Sequence, residues 1–190
     1  MRLINTTTRK VVEFHGNVPE YAILSHTWEQ HELSLQDMQQ PEPEKILGFE
    51  KVDRCCKLVA KEGFEYVWID TCCIDKHSSS ELSEAINSMY RWYKAAQVCI
   101  TYLADVPSEE DPLPLGSSFA TCKWFTRGWT LQELIAPPMI EFYGNNVDGD
   151  VCTYSSAIFS MSREIPLQTC LRRRNSQISV SSPDFVEKQC

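Results

Sequence analysis

The segment Arg127-Gly128-Trp129-Thr130-Leu131-Gln132-Glu133-Leu134 holds the residue pair with the most chemical content in this chain. Trp129 and Glu133 stand at i and i+4, and that spacing predicts one face of a short helix for both. An acid beside an aromatic ring suits carboxylate chemistry on a sugar or a nucleotide. A negative charge stabilises the oxocarbenium-like state that forms when a bond to the anomeric carbon breaks. The competing reading of Glu133 is a solvated helix glutamate, because Glu is mostly exposed. The competing reading of Trp129 is core packing, because aromatics dominate cores.

Other residues are candidates for holding such a substrate. Ser25, His26 and Trp28 follow a short apolar run and could meet phosphate or adenine through hydrogen bonds and stacking. A structural histidine is the bland reading of His26. Asp70 and Asp75 flank a polar loop and could bind a ribose hydroxyl, as acidic residues do in dinucleotide folds. Turn chemistry and helix capping compete with that. Arg127 could pair with a phosphate or with Glu133, against the default of a surface arginine. Cys72 and Cys73 have no histidine at a diagnostic position, so buried strand-end cysteines are preferred to nucleophiles. No Gly-rich phosphate loop is present, so neither a P-loop ATPase nor a dinucleotide dehydrogenase of the usual pattern is supported.

These residues need a scaffold, and the chain supplies one. Apolar runs near 21–25, 66–70, 98–103 and 139–143 predict strands. Helical spacing runs from Glu44 to Glu62, with Gly63 as the stop, and again from Leu82 to Ala96. Ser78 and Glu81 fit a capping box opening that second helix. Strands alternating with helices predict an α/β fold with a mostly parallel sheet and helices on both faces. Ligands of such sheets sit beyond the carboxyl ends of the strands. Ser25–Glu29, Asp70–Ser80 and Asp105–Ser118 fall at that edge.

The chain has 190 residues, with 18 basic and 26 acidic side chains and a formal net charge of −8. Such a balance argues against a non-specific nucleic-acid binder and against attraction to anionic lipid. No run reaches the roughly 18 apolar residues of a membrane span. Nine cysteines, an odd count with adjacent pairs at Cys55-Cys56 and Cys72-Cys73, predict free thiols in a reducing, cytoplasmic setting. No C-x-x-C pair occurs, so no metal site is expected. The expected organisation is an N-terminal segment 1–19, a domain 20–145 and a weakly ordered tail 146–190, Ser-rich and of little periodicity.

Three blocks stand in order: Ala22-Ile23-Leu24-Ser25-His26-Thr27-Trp28-Glu29, then Val67-Trp68-Ile69-Asp70-Thr71-Cys72-Cys73-Ile74-Asp75-Lys76 running on to Tyr90, then Trp124-Phe125-Thr126-Arg127-Gly128-Trp129-Thr130-Leu131-Gln132-Glu133-Leu134. Together they resemble the HET domain, the heterokaryon incompatibility domain of filamentous fungi. The resemblance covers about residues 20–145 and departs after Tyr143-Gly144. It implies a role in self/non-self recognition and programmed cell death. A weaker resemblance joins the order of elements and the Trp129–Glu133 interval to TIR domains. That one implies a flavodoxin-like sheet, NAD as a substrate with no cofactor required, and Glu133 as the catalytic acid. Ser25, His26, Trp28, Asp70, Asp75, Arg127 and Trp129 would then hold the nucleotide. Self-association and an upstream receptor of the NOD-like type are the partners this picture implies. Two rival readings stay open: a non-catalytic signalling module that acts by self-association, and an inactive fragment.

Overall fold

The computed structural model describes residues 1–111, 114, 116–145 and the backbone of 153–154. The rest of the expected tail 146–190 lies outside the described residues. Among the described residues seven strands form one sheet: β1 (Arg2–Asn5), β2 (Val11–Glu13), β3 (Ala22–His26), β4 (Tyr66–Trp68), β5 (Val98–Pro107), β6 (Ile140–Asn145) and β7 (Thr153–Tyr154). Their order is β2-β1-β4-β3-β5-β6-β7. The four strands expected from the apolar runs, β3 to β6, are all parallel to their neighbours within this set. Their order, second-first-third-fourth, is that of a flavodoxin-like sheet. The first 19 residues extend the sheet as well: β1 pairs antiparallel with both β2 and β4. Short strands and a turn in a polar context left little period-2 signal there.

Four helices matter for the site: α1 (Leu35–Met38), α2 (Phe49–Lys61), α3 (Asp70–Cys73) and α4 (Ser79–Ala95). The helix expected from Glu44 starts only at Phe49. Gly48 precedes it with φ +95°, a left-handed turn that no regular helix crosses. Its far end is as expected. Gly63 donates to Ala60 O and Phe64 to Val59 O, each at 3.1 Å, which closes the helix in a Schellman motif. The capping box expected at α4 is half formed. Ser78 Oγ accepts from Glu81 N, while the Glu81 carboxylate accepts from Asp75 N and pairs with Arg2.

Right-handed crossovers put the helices on both faces. The chain leaves β3 for β4 on one side and returns past β3 to β5 on the other. Helix α2 therefore covers one face and α4 the opposite one. On the α2 face lie Val52, Cys55, Cys56 and Val59, all buried. On the α4 face Trp68 packs on Trp92 and Tyr93. Every residue of β3 is buried, as a strand covered on both faces requires. Cys55, Cys56, Cys72, Cys73 and Cys99 are buried free thiols.

Candidate functional site

The Trp124-to-Leu134 segment folds as three short pieces. A 3-10 turn (Lys123–Thr126) is followed by a bend at Arg127–Trp129 and by helix α6 (Thr130–Ile135); the turn is preceded by α5 (Ser118–Thr121). Trp124 is fully buried, edge-on to Phe125 and Phe142. Thr130 Oγ1 donates to Trp124 O at 2.5 Å and ties the bend shut. The bend brings Arg127 and Glu133 together although they point from different pieces. Arg127 donates through both terminal nitrogens to the two Glu133 oxygens, at 2.9 and 3.1 Å. Ser25 Oγ, reaching from β3, donates to Glu133 Oε2 at 2.6 Å and accepts from the Trp124 indole N–H at 2.7 Å. Trp124, Ser25, Glu133 and Arg127 thus form one unbroken chain of hydrogen bonds inside the protein.

Burial distinguishes this cluster from a surface ion pair. Glu133 is 3% exposed. The Arg127 side chain is 22% exposed and closes the cluster outward. Burial works to lower the Arg127 pKa, but the Glu133 charge outweighs it and leaves the guanidinium more basic than usual. Neither the solvated glutamate nor the surface arginine describes these residues. Trp129 is different: it precedes α6, is 39% exposed, and accepts from Glu133 N only through its backbone. Helical spacing places Trp129 and Glu133 in one turn, yet one side chain is in the interior and the other faces outward.

A second cluster stands where β3 and β4 end. His26 is 2% exposed and points to the α2 face, opposite to Ser25. Its Nε2 lies 3.4 Å from Glu32 Oε2, and its Nδ1 lies 3.9 Å from Asp70 Oδ1. The other Asp70 oxygen accepts from the Trp28 indole N–H at 2.9 Å. Lys76 Nζ sits 3.5 Å from the centre of the exposed Trp28 ring, a cation–π contact. Lys51 bridges Glu29 at 3.0 Å and Glu32 at 2.5 Å. Burial acts to raise the Glu32 pKa, but His26 and Lys51 overcome it and hold it down at about 2. Burial also lowers the Lys76 pKa, against the pull of Asp70. His26 Nε2 and Asp70 Oδ1 are buried polar atoms with no hydrogen-bond partner among the described residues.

Strand order relates the two clusters. The chain turns one way from β3 and the other way to β5, so the topological switch point lies at the carboxyl ends of these strands. Ser25 and His26 stand there side by side, one feeding each cluster. Ser25 and His26 are consecutive at the end of β3, so both clusters belong to one edge of the sheet. Asp75 is set apart. Its Oδ1 accepts from Gln36 Nε2 at 2.8 Å and from His77 N at 3.0 Å, the turn chemistry weighed against ribose binding. Those two bonds lower its pKa. Among the described residues no group of His, Cys, Asp and Glu could hold a metal, and no helix is long and apolar enough to cross a membrane.

The family model described as heterokaryon incompatibility protein (HET) matches residues 21–117, just over half of the chain. This chain belongs to the HET family. The vegetative incompatibility protein HET-E-1 of Podospora anserina is 48% identical over 134 residues, which are 67% of this chain and 10% of that protein. The HET chain described here therefore spans only about a tenth of that relative's length. No solved structure matches. The HET match contains Ser25, His26, Trp28, Asp70 and Asp75 and ends before Trp124.

Three residues of this HET edge escaped sequence reading. Trp124 stood at the head of the third block without a role of its own, and the structure makes it a buried donor to Ser25. Glu32 and Lys51 lie in a polar loop and on a helix, 19 positions apart, with nothing local to join them. Their signal is a charge pair across a loop and a helix, visible only once α2 is packed against β3.

Proposed function

We propose that this HET chain is the effector module of an incompatibility protein, and that it promotes cell death by hydrolysing NAD at the carboxyl edge of its sheet. The observation that carries the reading is the buried Glu133 carboxylate, fixed by Arg127 and Ser25 beside the switch point. α/β sheets bind nucleotides at that place. In the reaction the bond between ribose C1′ and the pyridinium nitrogen breaks, and its electron pair leaves on neutral nicotinamide. Water adds to C1′ and loses a proton. The positive charge that grows at C1′ is what Glu133 would offset. Glu133 Oε1 accepts one hydrogen bond, from Arg127, and keeps a second lone pair for a ribose hydroxyl. Trp28 offers a stacking surface, and Asp70 Oδ1 an acceptor. A cytoplasmic site of action and a NOD-like upstream receptor belong to this reading through the family resemblance alone.

A specific observation favours the second reading, a non-catalytic module acting by self-association. Glu133 is 3% exposed, and both its oxygens already serve the interior. Meanwhile Ile86 and Tyr90 on α4 and Trp129, Ile135 and Met139 around α6 are exposed apolar side chains. The deciding experiment is nicotinamide release from NAD by the purified protein at high concentration. Release that disappears in Ser25→Ala while the protein stays folded supports the hydrolase. No release, together with toxicity in fungal cells that Trp129→Ala and Tyr90→Ala abolish, supports self-association. Neither release nor toxicity supports an inactive fragment.

A further inference from the structure

On the α2 face, away from Glu133, a cavity of about 400 Å³ opens between the helix and the strands. Its floor is Leu24, Cys55, Leu58, Ile100, Tyr102 and Tyr143. These residues come from β3, β5, β6 and α2, so the floor is rigid secondary structure. The volume is more than twice the roughly 150 Å³ that accommodates benzene and falls within the range of small-molecule pockets.

The mouth gives the chemistry of an occupant. Glu29, Glu50, Lys51 and Arg54 stand around it. Two acids and two bases line it, so the lining charges balance; Arg54 pairs with Glu50, and Lys51 is shared between Glu29 and Glu32, which lies outside the lining. Leu47 also lines the mouth, and it is 72% exposed. Gly48 sets it there. A Cβ at Gly48 would lie 2.6 Å from the His31 carbonyl oxygen, so only glycine lets this lip approach the 31–33 loop. An apolar floor, a charge-balanced rim and an apolar lip left open to water fit an uncharged, mostly apolar small molecule. We propose that this cavity is a binding site for such a molecule, of a size up to a two-ring compound, separate from the Glu133 cluster on the opposite face. Its occupant would touch Lys51, which holds Glu32 and through it His26 at the sheet edge. The site therefore has a physical route to the edge. It does not depend on NAD cleavage.

The test uses the full chain and 6-propionyl-2-dimethylaminonaphthalene, a neutral two-ring probe whose emission shifts to the blue in apolar surroundings. Expected are a saturable shift with one probe per chain and no displacement by NAD. Leu58→Trp, which fills the cavity, should remove the shift at an unchanged melting temperature. Leu47→Ala, an exposed position that leaves the fold intact, should weaken binding about tenfold, the worth of covering one leucine side chain. Absence of saturable binding overturns the proposal. So does binding that Leu47→Ala leaves unchanged. Displacement of the probe by NAD overturns the separateness of the site and would make it the nucleotide's own.

Discussion

Arg127 grips both carboxylate oxygens of Glu133, at 2.9 and 3.1 Å, and does so inside the protein. The pair has a consequence for mutagenesis. A solvated glutamate would accept Glu133→Gln without cost to the fold. The structure makes that variant a stability mutant, because it leaves a part-buried guanidinium without its counter-charge. We expect a loss of about 3 kcal/mol in urea denaturation. Arg127→Met with Glu133→Leu should recover most of it, since an apolar pair of similar volume is often no worse than a buried ion pair. If the single variant is as stable as the parent, the buried pair is not holding the fold.

Ser25 sits between Trp124 and Glu133 and satisfies both. Ser25→Ala strands an indole N–H and removes one bond to the carboxylate. The expected cost is about 1–3 kcal/mol, measured by the same denaturation. Ser25→Thr keeps the hydroxyl and should cost less, unless the added methyl finds no room.

Glu32 ties stability to pH. Its folded pKa of about 2 lies below the ordinary glutamate value of 4.5. A depressed carboxylate contributes stability that is present above the unfolded value. That contribution is lost as pH falls from about 4.5 toward about 2. Asp53 and Glu81, also lowered, through Lys57 and Arg9 and through Arg2 respectively, act in the same direction. The Glu32 contribution is about 3 kcal/mol at most. Acid titration of the melting temperature should show a steep loss through that window and a shallower one in Glu32→Gln. Equal slopes would mean His26 and Lys51 do not stabilise the charged form.

The buried thiols should be silent in the native protein. Burial pushes Cys56 and Cys72 up to about 12, and raises Cys55, Cys73 and Cys99 as well. At pH 8 a thiol reagent should leave these five unmodified in native protein and label them at once in urea, read by mass spectrometry of peptides. Rapid native labelling of Cys72 would show that the α3 turn opens to solvent.

Trp129 separates surface function from core structure. It is 39% exposed, and its contact with Glu133 is through backbone. Trp129→Ala should shift stability by less than about 1 kcal/mol. Any larger effect on nicotinamide release or on toxicity would then report on a ligand or a partner.

The sequence by itself determined the parallel strands, the stop of α2 at Gly63 and the edge where Ser25, His26 and Asp70 gather. Each of these is local: apolar runs, a glycine after a helix, and the rule that loops follow strand ends. It also carried the family, in long ordered blocks. Tertiary structure alone decided which way neighbouring residues face in function. Ser25 and His26 are adjacent, yet the strand sends one to Glu133 and the other to Glu32. Trp129 and Glu133 share a helical interval, yet packing against Trp124 and β3 buries only the acid. The N-terminal hairpin was hidden for the same reason, since its pairing with β4 spans some sixty residues. Periodicity reports how a segment meets an average surface. It does not report which partner, on which side of the sheet, takes up each polar atom.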